Sequence, residues 1–161
     1  MRHFLFWSIV HTAGYFSLFF LFSYFFDNKT ARPNRRSFYS ILSIIVAMGA
    51  VLALSLNMTN LELANRILHM FGGGFIAFYA CFRVVQDSGL EIDRTRFFVF
   101  SAMAVTTMGV ANEIFELVLQ TYGPFLFSAT ITDTWLDLLS NTVGILFAAA
   151  CLVPLISRKN N

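Results

Sequence analysis

The sequence predicts an all-α integral membrane protein, with about five transmembrane helices in a compact bundle that forms a single domain over residues 1–161. Apolar residues make up 57% of the chain and charged residues only 12%, which is about half the charge of a soluble domain. Mean hydropathy is also high, at +0.68. These values exclude a soluble enzyme, a disordered tail and a nucleic-acid-binding protein, and they make membrane lipids the expected surroundings.

Five apolar segments are each long enough to cross a bilayer, which takes about 20 residues. The predicted spans are Phe4–Phe26, Phe38–Met58, Ile67–Val85, Phe97–Gln120 and Thr134–Ile156. Each span must be helical, because lipid offers no partner for an open backbone hydrogen bond. The first span exceeds the 7–15 residues typical of a signal-peptide core, so we expect it to be retained. The first two spans contain no carboxylate, Lys or Arg and are interpreted as lipid-facing scaffold.

The basic residues predict the orientation of the bundle. Of the 11 Lys and Arg residues, only Arg2 and Arg66 fall on the side opposite the C-terminus. The others are Lys29, Arg32, Arg35, Arg36, Arg83, Arg94, Arg96, Arg158 and Lys159. The positive-inside rule then places the N-terminus outside and the C-terminus in the cytoplasm. We therefore expect a multi-pass protein of the cell membrane.

Polar side chains in the last three spans are the candidate site. An ionisable group within a span is costly, so each one is a candidate functional residue. The candidate pocket residues are His69, Asn112, Glu113, Glu116, Asp133, Asp137 and Asn141. Asn112 and Glu116 are four residues apart on one helix and are expected to share a hydrogen bond.

The candidate residues fall at similar depths on three different helices. At 1.5 Å per residue, His69 lies about 3 Å from the outer end of its predicted helix. Glu116 and Glu113 lie about 6 and 11 Å from the outer end of theirs, and Asp137 and Asn141 about 5 and 10 Å. Spacings of three and four residues place each pair on one helix face. The sequence therefore predicts one water-accessible pocket that opens to the outside.

Small residues next to the candidate site predict close helix packing. Gly72, Gly73 and Gly74 follow His69 within one turn, and three glycines let another backbone or a ligand come very near. Gly144 and Ala148 have the small-xxx-small spacing that favours close contact between membrane helices.

Carboxylates this close together do not all stay ionised without a cation. We expect either protonated carboxyls or a positive charge among them, which His69 supplies if it is protonated. Carboxylates with one imidazole also suit manganese, magnesium, calcium or zinc. A divalent metal held by Glu113, Glu116, Asp137 and His69 is therefore one hypothesis for a cofactor.

A purely structural role is the alternative for each polar residue. Polar side chains within a bundle join helices by hydrogen bonds worth about 0.6 kcal/mol each. Asn112 and Asn141 fit this role as well as a functional one. Asp133 fits either a pocket residue or the N-cap of the last helix.

Three motifs between residues 65 and 148 resemble the VanZ-like small membrane proteins and the related YjdF-type inner-membrane proteins. Arg66-Ile67-Leu68-His69 opens a glycine-rich helix, and Asn112-Glu113-Ile114-Phe115-Glu116 ends the next one. The segment from Thr132 to Gly144 resembles an Asp–Asn–Gly signature and is the most specific of the three. VanZ-like members often have an Arg just before this segment, and this chain has none there. The resemblance implies a polytopic protein of the cell envelope, in the bacterial cytoplasmic membrane, with a role in envelope maintenance or glycopeptide tolerance.

Three functions compete. The first is an envelope membrane protein whose outward-facing acidic and histidine pocket binds a cation or a lipid-linked ligand without turnover. The second is a metal-dependent membrane enzyme that acts on a lipid or lipid phosphate. The third is a transporter or proton relay, which the absence of a charged residue deeper in the bundle argues against. A homo-oligomer stays open as an alternative to a monomer.

Overall fold

A computed structural model of the chain describes residues 2–28, 32–123 and 131–156. The described helices are α1 (Arg2–Phe25), α2 (Arg35–Leu56), α3 (Leu61–Ser88), α4 (Arg94–Tyr122) and α5 (Ile131–Leu152), with a short 3₁₀ turn at Val153–Leu155. All five helices contain a stretch long and apolar enough to cross a membrane, and the described residues include no strand. The predicted fold class is therefore confirmed, whereas the side of the membrane on which each terminus lies stays a prediction.

The start of α3 differs from the predicted boundary. The helix begins at Leu61 rather than at Ile67, because the side chain of Asn60 caps it by accepting a hydrogen bond from the backbone N–H of Leu63 at 3.0 Å. Such a cap satisfies one of the free N–H groups in the first turn. The helix therefore includes Arg66, which lies just outside the predicted span.

The middle of α3 is a π-helix from Leu68 to Ile76, between the α-helical segments Leu61–Ile67 and Ala77–Ser88. Helices of this wider type are rare and occur often at functional sites. The segment contains Gly72, Gly73 and Gly74. A Cβ on Gly74 would overlap the backbone of α5 at Asn141, and a Cβ on Gly144 would overlap the carbonyl oxygen of Met70. The predicted close helix contact at Gly144 is thus present, between α3 and α5.

Substituting Gly144 tests this backbone contact. We expect Gly144→Val to lower the free energy of unfolding by about 3 kcal/mol, the upper range for overpacking, because the carbonyl of Met70 cannot move aside as a side chain would. The measurement is thermal unfolding in detergent. The matched control is Gly14→Ala, whose added Cβ would lie 3.9 Å from the terminal methyl of Met108, an ordinary contact. Equal melting temperatures for the two variants would contradict the contact.

The other four helices are arranged around α3. α1 and α2 pack on each other and on α3, and α4 and α5 do the same. No described Cα of α1 comes within 8 Å of a described Cα of α4. The two helices still meet at one end, where the rings of Phe22 and Phe100 lie 4.7 Å apart between centroids. The gap between α1 and α4 is therefore a cleft that is closed at the Phe100 end.

Candidate functional site

A cavity of about 1020 Å³ lies between the helices and is lined by side chains from all five of them. Its polar end is lined by Glu62, Asn65, Arg66, His69, Asn112, Glu116, Asp133, Asp137 and Asn141. Its apolar end, further along α3, is lined by Leu18, Ile44, Met48, Ala77 and Ala80. The cavity thus has charged groups at one end and hydrocarbon at the other.

Arg66 is the central cation of the polar end, although it was not among the predicted site residues. Its Nη2 forms an ion pair with Asp133, and its Nη1 forms one with Asp137. The same Nη1 donates to the backbone carbonyl oxygen of Asp133 at 3.3 Å. Asn65, the preceding residue, donates from Nδ2 to Asp137 Oδ1 at 3.0 Å. α3 is therefore bound to α5 through half-buried, charge-assisted hydrogen bonds.

A signal for Arg66 was present in the sequence. It lies three residues before His69, which puts the two side chains on the same helix face once α3 is extended to Leu61. The guanidinium also provides a positive charge of the kind that the carboxylates were predicted to need. Asp133 lies within the first turn of α5 and is an ion-pair partner of Arg66.

His69, Glu113 and Asp137 come together from three helices. Each offers one nitrogen or oxygen atom, and these three atoms lie within 4.8 Å of one another. His69 Nε2 is 3.5 Å from Asp137 Oδ1. The Oε1 atom of Glu113 is buried and has no hydrogen-bond partner among the residues that the structure describes. With small movements, such a set fits a metal ion that prefers oxygen and imidazole ligands.

Glu116 lies outside this grouping, although it was predicted to belong to it. Asn112 Nδ2 donates to Glu116 Oε1 at 2.7 Å, the hydrogen bond expected from their spacing. Both side chains line the cavity, whereas Glu113 is not among its lining residues. The two glutamates of α4 therefore have different surroundings: Glu116 faces the cavity, and Glu113 lies close to His69 and Asp137.

Asn141 lies one turn beyond Asp137 on α5, toward the apolar end of the cavity. The residue is 5% exposed, and its Oδ1 atom has no hydrogen-bond partner within the described part of the chain. A Cβ on Gly73 would overlap that Oδ1 atom, and a Cβ on Gly109 would lie 3.1 Å from Nδ2. The glycines of α3 and α4 thus leave the space that the amide occupies. A buried acceptor without a donor is costly, which makes it a candidate contact for a bound ligand.

The first two helices are more than scaffold, contrary to their interpretation from the sequence. His11 and Tyr15 of α1 line the cavity. The Tyr15 hydroxyl donates to Asp87 Oδ2 at 2.5 Å. The Asp87 side chain is 1% exposed, and its Oδ1 lies 3.8 Å from Arg83 Nη2. A charged residue therefore does lie beyond the apolar end, near the end of α3, which removes one argument against transport.

The helices and their cavity define a multi-pass helical membrane protein with ionisable groups inside the bundle. Residues 59–158 match the model of a family described as predicted membrane protein (DUF2238), and the chain belongs to that family. The match covers α3, α4 and α5, which supply most of the polar end of the cavity. No curated protein and no solved structure matches the chain. The family match does not test the resemblance to VanZ-like and YjdF-type proteins, which stays a prediction.

Proposed function

We propose that this protein binds an amphipathic ligand of the cell envelope in the cavity, without turnover. One observation supports this proposal above the others: the lining changes from charged to apolar along the length of the cavity. A small hydrophilic solute would make no favourable contacts with the apolar end, which is lined by Leu18, Ile44 and Met48. A molecule with a polar group and a hydrocarbon chain matches both ends at once.

The charges at the polar end favour a ligand whose polar group donates hydrogen bonds or carries a positive charge. Arg66 is already paired with Asp133 and Asp137. Glu116 forms no ion pair with any basic residue in the part of the chain that the structure describes, and Asn141 offers an unpartnered oxygen. An ammonium or hydroxyl group satisfies these acceptors, whereas an anionic group would meet uncompensated carboxylates.

The resemblance to VanZ-like proteins supports a place for this ligand in the bacterial envelope. On this proposal, the polar end of the cavity lies on the outer side of the cytoplasmic membrane, where it can bind lipid-linked envelope molecules. A role in envelope maintenance or glycopeptide tolerance is the corresponding cellular expectation.

Filling the apolar end tests the proposal. We expect Ala77→Phe to reduce co-purified lipid severalfold, because the added ring occupies space needed by the ligand's chain. The measurement is native mass spectrometry of the protein purified in mild detergent, with extraction and quantification of bound lipid. The matched control is Ala150→Phe, which places the same ring on an exposed site of α5 away from the cavity. Equal lipid in both variants, or none in the unmodified protein, would contradict the proposal.

A metal-dependent enzyme is the second candidate function. The grouping of His69, Glu113 and Asp137 favours it, because a divalent ion there would lie at the polar end, beside the head group of a bound lipid or lipid phosphate. In such a site the ion polarises a phosphoryl oxygen. Transport is the third candidate function. It is supported by the Tyr15–Asp87 hydrogen bond, which places polar groups beyond the apolar end of the cavity.

A further inference from the structure

We infer that the ligand enters the cavity sideways from the bilayer, through the cleft between α1 and α4, and is therefore a membrane lipid rather than a water-soluble solute. This inference rests on the proposed function, since it concerns the route to the same cavity. It identifies the ligand class as a bilayer lipid whose head group donates hydrogen bonds.

The first argument is the geometry of the cleft. α1 and α4 both line the cavity, yet their described Cα atoms are nowhere within 8 Å of each other. At one end, the Phe100 ring closes the gap against Phe22 and Phe25, with centroids 4.7 and 5.3 Å away. Further along, the side chain of Met108 reaches toward α1: a Cβ at Gly14 would lie 3.9 Å from its terminal methyl. An unbranched methionine is flexible enough to move aside.

The second argument is the chemistry of the cleft's rim. Val10 of α1 and Met108 and Phe115 of α4 line the cavity and are also 40%, 42% and 56% exposed. An opening to water is expected to carry polar groups, whereas these three side chains suit contact with lipid chains. The rim is thus compatible with a hydrocarbon chain that passes between the helices.

The third argument concerns the alternative route at the polar end. There Arg66 bridges α3 and α5 through Asp133 and Asp137, and its side chain is only 16% exposed. A solute that entered from water would pass these paired charges. A lipid that enters through the cleft brings its head group to Glu116 and Asn141 from the side and leaves the ion pairs intact.

Closing the cleft with a cross-link tests the inference. Gly14 and Met108 are both replaced by Cys in a Cys151→Ser background, and Cys81 is retained because it is fully buried. The Cα atoms of residues 14 and 108 are too far apart for a disulfide, so a reducible bifunctional thiol reagent joins the two new cysteines. The protein is reconstituted into vesicles of phosphatidylcholine and phosphatidylethanolamine. After chain-deuterated phosphatidylethanolamine is added, native mass spectrometry follows its exchange with bound lipid over time.

We expect the cross-link to slow exchange about tenfold or more, corresponding to a barrier raised by at least about 1.4 kcal/mol. Reduction of the reagent should restore the original rate. The matched control treats the same double-Cys protein with a monofunctional thiol reagent of similar size, which leaves the two helices unjoined and should leave exchange unchanged. Unchanged exchange with the Gly14–Met108 cross-link overturns lateral entry but leaves lipid binding standing. Absence of bound lipid before any cross-linking overturns the proposed function, and the inference with it.

Discussion

Replacing Arg66 with Met is expected to destabilise the protein by about 2 kcal/mol, somewhat less than the loss of one partner of a fully buried ion pair, because the Arg66 side chain is 16% exposed. Without the guanidinium, Asp133 and Asp137 face each other inside the bundle with no cation between them. Methionine keeps much of the apolar stem, so the change mainly reports the lost charge. The measurement is thermal unfolding in detergent, at a pH where carboxyls are normally ionised.

Two further variants make this result specific. Adding Asp133→Asn and Asp137→Asn to Arg66→Met should recover most of the lost stability, because no uncompensated carboxylate then remains. Arg96→Met is the matched control: the Arg96 side chain is 77% exposed and pairs with Asp93 at the protein surface. Exposed pairs of this kind contribute at most about 1 kcal/mol. If Arg66→Met were as stable as Arg96→Met, Arg66 would not be the counter-ion of the site.

A divalent metal that binds at His69, Glu113 and Asp137 is expected to stabilise the folded protein. A ligand that binds only the folded state adds about 2.7 kcal/mol at 100 times its dissociation constant. We expect manganese, magnesium, calcium or zinc to raise the melting temperature if the metal-dependent candidate is correct. Glu113→Gln should abolish this response, since that carboxylate lies in the grouping.

Glu116→Gln is the control that the structure offers for the metal experiment. Glu116 is on the same helix and is bonded to Asn112, outside the grouping. Its substitution should leave the metal response nearly intact, whereas the sequence-based metal set, which includes Glu116, predicts a loss. No stabilisation of the unmodified protein by any of the four metals would remove the metal-dependent candidate and leave the ligand-binding proposal.

The Arg66 variants and the metal experiment are linked, because both depend on Asp137. Its Oδ1 accepts hydrogen bonds from Arg66 and Asn65 and lies 3.5 Å from His69 Nε2. A metal at this position would have to share the carboxylate with the guanidinium. Metal affinity should therefore depend on Arg66, and the Arg66→Met variant is expected to bind metal more tightly if it folds.

Much of this protein was predictable from residue types and their spacing. Membrane helices form their backbone hydrogen bonds within one segment, so apolar length alone predicts each span. Ionisable groups inside a span are costly enough to mark a site without any knowledge of the partner helix. Spacing within one helix was also sufficient to predict the hydrogen bond between Asn112 and Glu116, because residues four apart lie on the same helix face.

The tertiary structure alone decided which residues of different helices meet. Arg66 lies outside the predicted span because its charge ends the apolar run, and only the packing of α3 on α5 reveals its partners Asp133 and Asp137. Spacing also could not separate Glu113 from Glu116, because their surroundings depend on the rotation of α4. The cavity, its apolar end and the cleft beside α1 arise from the angles between helices. Those angles are set by side-chain packing and close backbone contacts such as Gly144 with Met70, which no single segment of the sequence contains.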